Sequence, residues 1–143
     1  MRGVDTCMDI DRYKRTHVEI LDQIDELRAL IQSGIAEQAD AIARHITLIA
    51  SGIKFHLAAE DSVLYPALLA AGDTRTVEMG RRYQSEMTGI AGGFSEFVSR
   101  WRVGSRIAAD PDVFRREAND VFRALFERLQ REDRELYPTA ERL

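Results

Sequence analysis

The sequence predicts an all-α protein built as an antiparallel up-down four-helix bundle, and three observations carry that prediction. Apolar residues recur at spacings of three and four over four long stretches. The 143 residues contain only three prolines and show no extended β-branched alternation. The stretches are joined by short turn signals. A chain of this length is most simply one domain with a real core, spanning residues 1–143, with residues 1–8 expected to form a flexible tail.

The first helix carries Tyr13, His17, Ile20, Ile24, Leu27 and Ile31 on one stripe and meets a stop at Ser33-Gly34. The second presents Ile42, His45, Ile49, Ile53, His56, Glu60 and Leu64, then reaches Pro66. Proline there should bend or end the helix near Tyr65, leaving Ala67 to Ala71 to cap the bundle end, before a turn at Gly72-Asp73-Thr74. The third stripe is Tyr83, Met87, Ile90, Phe94, Phe97 and Trp101. Gly89, Gly92 and Gly93 within it predict a kink or a close helix contact. Val103 to Ala109 reads as a loop. Asp110-Pro111 then starts the last helix, with aspartate as cap and proline in the first helical position. That helix shows Phe114, Val121, Leu125, Arg128, Glu132 and Leu136 and ends at Tyr137-Pro138.

Composition narrows the function. Hydrophobic content of 45% and charged content of 31% fit a soluble globular chain. A net charge of -4 and a pI near 5.4 argue against nucleic acid or an anionic membrane as partner. No stretch approaches the roughly 20 apolar residues that span a bilayer. The N-terminus lacks a segment of signal-peptide type, and the single cysteine, Cys7, cannot form an internal disulfide, so a cytoplasmic location is expected. No nucleophile–base arrangement, phosphate-cradling glycine loop, zinc-finger cysteine set or calcium loop is present, which leaves ordinary enzyme chemistry with little support.

The most informative feature is a repeated frame. His56-Leu-Ala-Ala-Glu60-Asp61-Ser-Val-Leu64-Tyr65-Pro66 returns as Arg128-Leu-Gln-Arg-Glu132-Asp133-Arg-Glu-Leu136-Tyr137-Pro138. Positions i and i+4 share a helix face, so each copy aims two polar groups at one neighbourhood. His56 and Glu60 form a good metal-ligand pair. Arg128 cannot ligate, because a guanidinium stays protonated and has no lone pair to give. His17 lies on the first inward stripe and Tyr83 and Met87 on the third. Unpaired imidazoles and carboxylates in a bundle core cost several kcal/mol. Converging from facing helices, such groups build metal sites, and two imidazoles with two carboxylates suit iron, zinc or manganese.

This pattern resembles the hemerythrin-like family, also called the HHE cation-binding domain. The resemblance spans nearly the whole chain: a helix-1 histidine, the His-x-x-x-Glu pair followed by Leu-Tyr-Pro, and the return of that frame on the last helix. It implies two non-haem irons bridged by two carboxylates, and reaction with dioxygen, nitric oxide or peroxide. By the same resemblance His17 and His56 match ligands of one metal, and Glu60 and Glu132 match the bridging carboxylates, with Asp133 a weaker substitute for the latter. The family's helix-3 and helix-4 histidine positions hold Tyr83, Met87 and Arg128 here. One half-site is thus kept and the other has lost its histidines.

Arg128 then reads as a fixed cation whose forked donors stand in for the second metal, leaving a mononuclear site of His17, His56, Glu60 and Glu132. Tyr83 is a further candidate, as hydrogen-bond donor or phenolate ligand. The competing reading is a metal-free cluster in which Arg128 bridges Glu60 and Glu132. His45, about 16 Å from His56 by helical rise, reads as a core or boundary histidine. Met87 reads as filler, and Tyr65 and Tyr137 as packing at the bundle's end. Two function classes follow. One is a regulatory metal-binding protein sensing dioxygen, nitric oxide or redox state. The other is a metal-free interaction module, with a protein partner or second copy on helix 3 around Phe94, Phe97 and Trp101.

Overall fold

A computed structural model describes residues 8–143. Most of the expected tail, including Cys7, lies outside the described residues. The rest is helical, with no strand among the described residues: α1 (Ile10–Gln32), α2 (Ala39–Ala59), α3 (Tyr65–Leu69), α4 (Thr74–Trp101), α5 (Gly104–Ala109), α6 (Pro111–Arg131) and α7 (Tyr137–Glu141). Two five-residue π-helical turns, Glu60–Leu64 and Glu132–Leu136, join α2 to α3 and α6 to α7. Among the described residues, no helix is long and apolar enough to cross a membrane.

The helix starts follow from local chemistry. Asp9 accepts a hydrogen bond from the Arg12 amide at 3.0 Å, and Asp73 accepts from the Thr76 amide at 3.1 Å, each satisfying an otherwise orphaned donor. Gly34 takes φ of 125°, a left-handed conformation that stops α1 where the Ser33-Gly34 pair predicts. Asp110 precedes Pro111 as expected, but its side chain makes no capping bond; its carbonyl accepts from the Phe114 amide instead.

Three expectations are corrected. Of the bend or end of the second rod expected at Pro66, the end does not occur. In a regular helix the proline ring would press on the carbonyl one turn back, whereas the wider π turn before it opens that space and the rod continues as α3. Residues 104–109 form α5 rather than loop, because Ile107 is fully buried and Gly104 packs against α2. A Cβ on Gly104 would lie 3.1 Å from the Asp40 Cα. Third, α4 runs unbroken through Gly89, Gly92 and Gly93, which face open space; the close helix contact is at Gly80, where a Cβ would meet the Leu68 Cβ at 2.9 Å.

The core has two apolar parts. The larger holds Ile20, Ile24, Ile42, Ile46, Ile49, Phe94, Phe97, Trp101, Phe114, Phe122 and Leu125. Phe94, Phe97 and Trp101 are therefore core, packed edge-on against Phe114 and Phe122, and not an exposed docking patch. Phe55, Val18, Leu143, Val103 and Leu48 are the apolar side chains more than half exposed among the described residues. The smaller part gathers Ile10, Tyr13, Leu64, Tyr65, Leu68, Tyr83, Leu136, Tyr137 and Ala140. Along the rods, His17 stands between Tyr13 and Ile20, and His56 and Glu60 between Ile53 and Leu64. Arg128 and Glu132 fall between Leu125 and Leu136. A polar layer thus separates two apolar ones.

Candidate metal centre

That layer is almost sealed from water. His17, Glu60, Arg128 and Glu132 are at most 1% exposed, and His56 is 5% exposed. α1 delivers His17 and α2 delivers His56. The two glutamates open the π turns, so each sits where its rod widens. His17, His56, Glu60 and Glu132 each place one ligand atom within 4.8 Å of all the others, the grouping the sequence proposes.

The spacing is tight. His17 Nε2 lies 2.9 Å from His56 Nε2 and 2.9 Å from Glu132 Oε1. His56 Nε2 lies 3.1 Å from Glu60 Oε2 and 3.5 Å from Glu132 Oε1. Two ligands held at about 2.1 Å from one ion are separated by about 3.0–3.4 Å at right or tetrahedral angles, so the donor set fits a single cation. Glu60 Oε1 strengthens the fit, because it is buried with no hydrogen-bond partner among the described residues.

Electrostatics agree with convergence of charge. Burial opposes the charged form of His56, but its hydrogen bonds to Glu132 and Glu60 and their negative charges outweigh it and raise the imidazole to about 9. Burial raises the Glu60 carboxyl above its ordinary value, more than its bond with His56 lowers it. Glu132 goes the other way. Burial would raise it, yet hydrogen bonds with His17 and His56 and the Arg128 charge hold it well below the usual range.

Around these four, the structure places the remaining candidates. Asp133 does not enter the cluster. Its Oδ1 accepts from His17 Nδ1 at 2.9 Å, which orients the ring and leaves Nε2 facing inward. Arg128 neither bridges the two glutamates nor forks onto one. Its Nε donates to Glu132 Oε2 at 2.9 Å, and its Nη2 donates to the Tyr65 hydroxyl and the Tyr83 carbonyl, each at 2.9 Å. Its guanidinium carbon sits 4.4 Å over the Tyr83 ring. The Tyr83 hydroxyl turns away and donates to Glu135, and it is pushed up to about 12 by burial and by that carboxylate. Met87 is buried one turn further along α4. His45 is partly buried 3.6 Å from Glu26 and takes no part.

The residue that sequence reasoning misplaced is Tyr137. It does pack the smaller core, but its hydroxyl reaches into the cluster and donates to Glu60 Oε2 at 2.7 Å. The missed signal was the spacing of five in Glu-x-x-x-Leu-Tyr. Residues five apart diverge by about 140° on an α-helix. The π turn, closed by the Tyr137 amide on the Glu132 carbonyl, swings them onto one side. A pocket of about 280 Å³ lined by Arg12, Tyr13, Phe55, His56 and Val63, among others, opens onto the edge of this centre.

A helical bundle with a buried histidine–carboxylate centre belongs to the cation-binding class of helical proteins. The model of one family, the hemerythrin HHE cation binding domain, matches residues 8–140, and the chain belongs to that family. No curated protein and no solved structure matches the chain.

Proposed function

We propose that the protein is a regulatory non-haem metal-binding protein with one metal per chain, held by His17, His56, Glu60 and Glu132. In this reading the chain is a single domain whose rods form an antiparallel up-down four-helix bundle. The metal is iron, or another divalent ion such as zinc or manganese. The observation that carries the mononuclear reading is Arg128. A permanent cation, 1% exposed and 2.9 Å from Glu132 Oε2, fills the half of the polar layer opposite the histidines. It supplies positive charge where a second ion would otherwise balance the carboxylates.

The bound ion would supply a Lewis-acidic and, for iron, redox-active centre. The protein's own groups set its environment. Asp133 fixes the His17 ring, Glu60 and Glu132 present anionic oxygens, and the two apolar layers exclude water. The pocket beside His56 is wide enough for a diatomic ligand, so dioxygen or nitric oxide is the proposed signal. Reversible dioxygen carriage shared between two metals does not fit a centre with one. Elemental analysis of untagged protein tests this reading. One metal per chain is expected, abolished by His56→Ala with Glu60→Ala. Two metals per chain would overturn it, and a chain that takes up no iron, zinc or manganese would leave a metal-free interaction module.

A further inference from the structure

Tyr137 is buried to 0% exposure, and its hydroxyl oxygen approaches all four donors of the centre. It lies 2.7 Å from Glu60 Oε2, 2.9 Å from His17 Nε2, 3.2 Å from His56 Nε2 and 3.2 Å from Glu132 Oε1. A hydroxyl has one proton to donate. Given to Glu60, that proton leaves the phenol oxygen facing a second carboxylate oxygen, on Glu132, with nothing shared between them. Hydrogen bonding thus accounts for part of this arrangement only. The same distances are those kept by ligands of one cation, as among the other four donors.

We propose that Tyr137 is a fifth donor to the metal, bound through its phenol oxygen. This rests on the metal-binding reading above. On ligation the O–H bond breaks, the oxygen keeps the electron pair as the donor pair, and the proton passes to solvent. A coordinated cation drives such losses from thiols and water by the same electrostatic effect. Burial and the Glu132 and Glu60 charges oppose an ionised phenol, so the proton leaves only against the charge of the bound cation. Two carboxylates against Arg128 leave one negative charge, which a divalent or trivalent ion overcompensates and an anionic oxygen offsets. Tyr65, the matching residue of the first frame, is excluded from this role because its hydroxyl is held by Arg128.

The test loads metal-free protein with one equivalent of ferric iron, then records iron per chain after desalting and the visible spectrum. A phenolate on ferric iron gives an intense visible charge-transfer absorption that carboxylates and imidazoles do not. Wild type should hold one iron and show the band. Tyr137→Phe should keep its circular dichroism, lose the band and bind iron at least about ten-fold more weakly. The sequence has four tyrosines, so Tyr13→Phe/Tyr65→Phe/Tyr83→Phe, which retains Tyr137 alone, should keep the band and assigns it even if Tyr137→Phe fails to fold. Iron bound by wild type without the band, or a band that survives in Tyr137→Phe or vanishes in the triple variant, overturns the fifth donor and leaves the four-residue site standing. Wild type that takes up neither iron nor zinc overturns the site and the fifth donor together.

Discussion

Replacing Arg128 by methionine isolates the charge that sets this centre apart. Methionine keeps an unbranched, flexible side chain of comparable reach, so the cavity contribution is small and the change is mainly loss of the cation. Arg128 and Glu132 are each 1% exposed, which places the pair in the regime where removing one partner costs about 3–5 kcal/mol. The charge-assisted bond to Glu132 accounts for about 1.5–3 kcal/mol of this. The remainder comes from the Tyr65 hydroxyl and Tyr83 carbonyl, which lose their donor. At about 3 °C per kcal/mol for a chain of this size, the melting temperature should fall by about 10–15 °C. Metal should act independently. Free zinc at a hundred times its Kd adds about 2.7 kcal/mol to any chain that keeps the site, so Arg128→Met should gain nearly what wild type gains. Urea and thermal unfolding with chelator and with zinc measure both quantities. A cost below about 1 kcal/mol would refute the buried-charge reasoning. A normal cost with no zinc stabilisation would mean that Arg128 assembles the site instead of standing beside it.

pH offers a second handle. The His56 pKa is raised in the fold, to about 9 from 6.5, so its contribution is fully present below pH 6.5 and is lost as pH rises through 9. Metal-free protein should lose about 3 kcal/mol across that window by urea denaturation, less so in His56→Gln, while metal affinity should rise over the same range as the imidazole proton is displaced; constant or rising metal-free stability contradicts this. Tyr83→Phe should cost about 1 kcal/mol by removing the bond to Glu135 and leave iron content unchanged, and a fall in metal-to-chain ratio would return Tyr83 to the ligand set.

The parts of the molecule that were legible in the sequence are those set by period, by turn residues and by the repeated frame. The long stripes of α1, α2, α4 and α6 follow from spacings of three and four, the stop at Gly34 and the turn at Asp73 from turn residues, and the grouping of His17, His56, Glu60 and Glu132 from those stripes together with the family resemblance. What escaped was local geometry of another period, or a choice that only packing makes. A six-residue helix such as α5 is too short to show a stripe, and its place is set by Ile107 and Gly104 meeting α2. Glycines at 89, 92 and 93 look like a contact on composition, but whether a neighbour approaches depends on how α4 faces its partners. Phe94, Phe97 and Trp101 belong to whichever side α4 turns inward. The role of Tyr137 required the π turn, which no apolar period announces, although the repeated Glu-x-x-x-Leu-Tyr-Pro frame carried it twice.

Those two turns also explain how one frame can change without spoiling the other. Each tyrosine reaches across to the opposite copy. Tyr65, from the first frame, accepts from Arg128 of the second, while Tyr137, from the second, reaches His56 and Glu60 of the first. An arginine at 128 therefore alters the half that Tyr65 completes and leaves the histidine half with its own tyrosine. Glu132 joins the two directly. Its Oε1 faces His17, His56 and Tyr137, and its Oε2 holds Arg128. Coupling between the fixed cation and the candidate metal ligands thus passes through the two oxygens of one carboxylate. Neutralising that carboxylate would disturb both halves, whereas changes at Arg128 or at His56 act first on their own side.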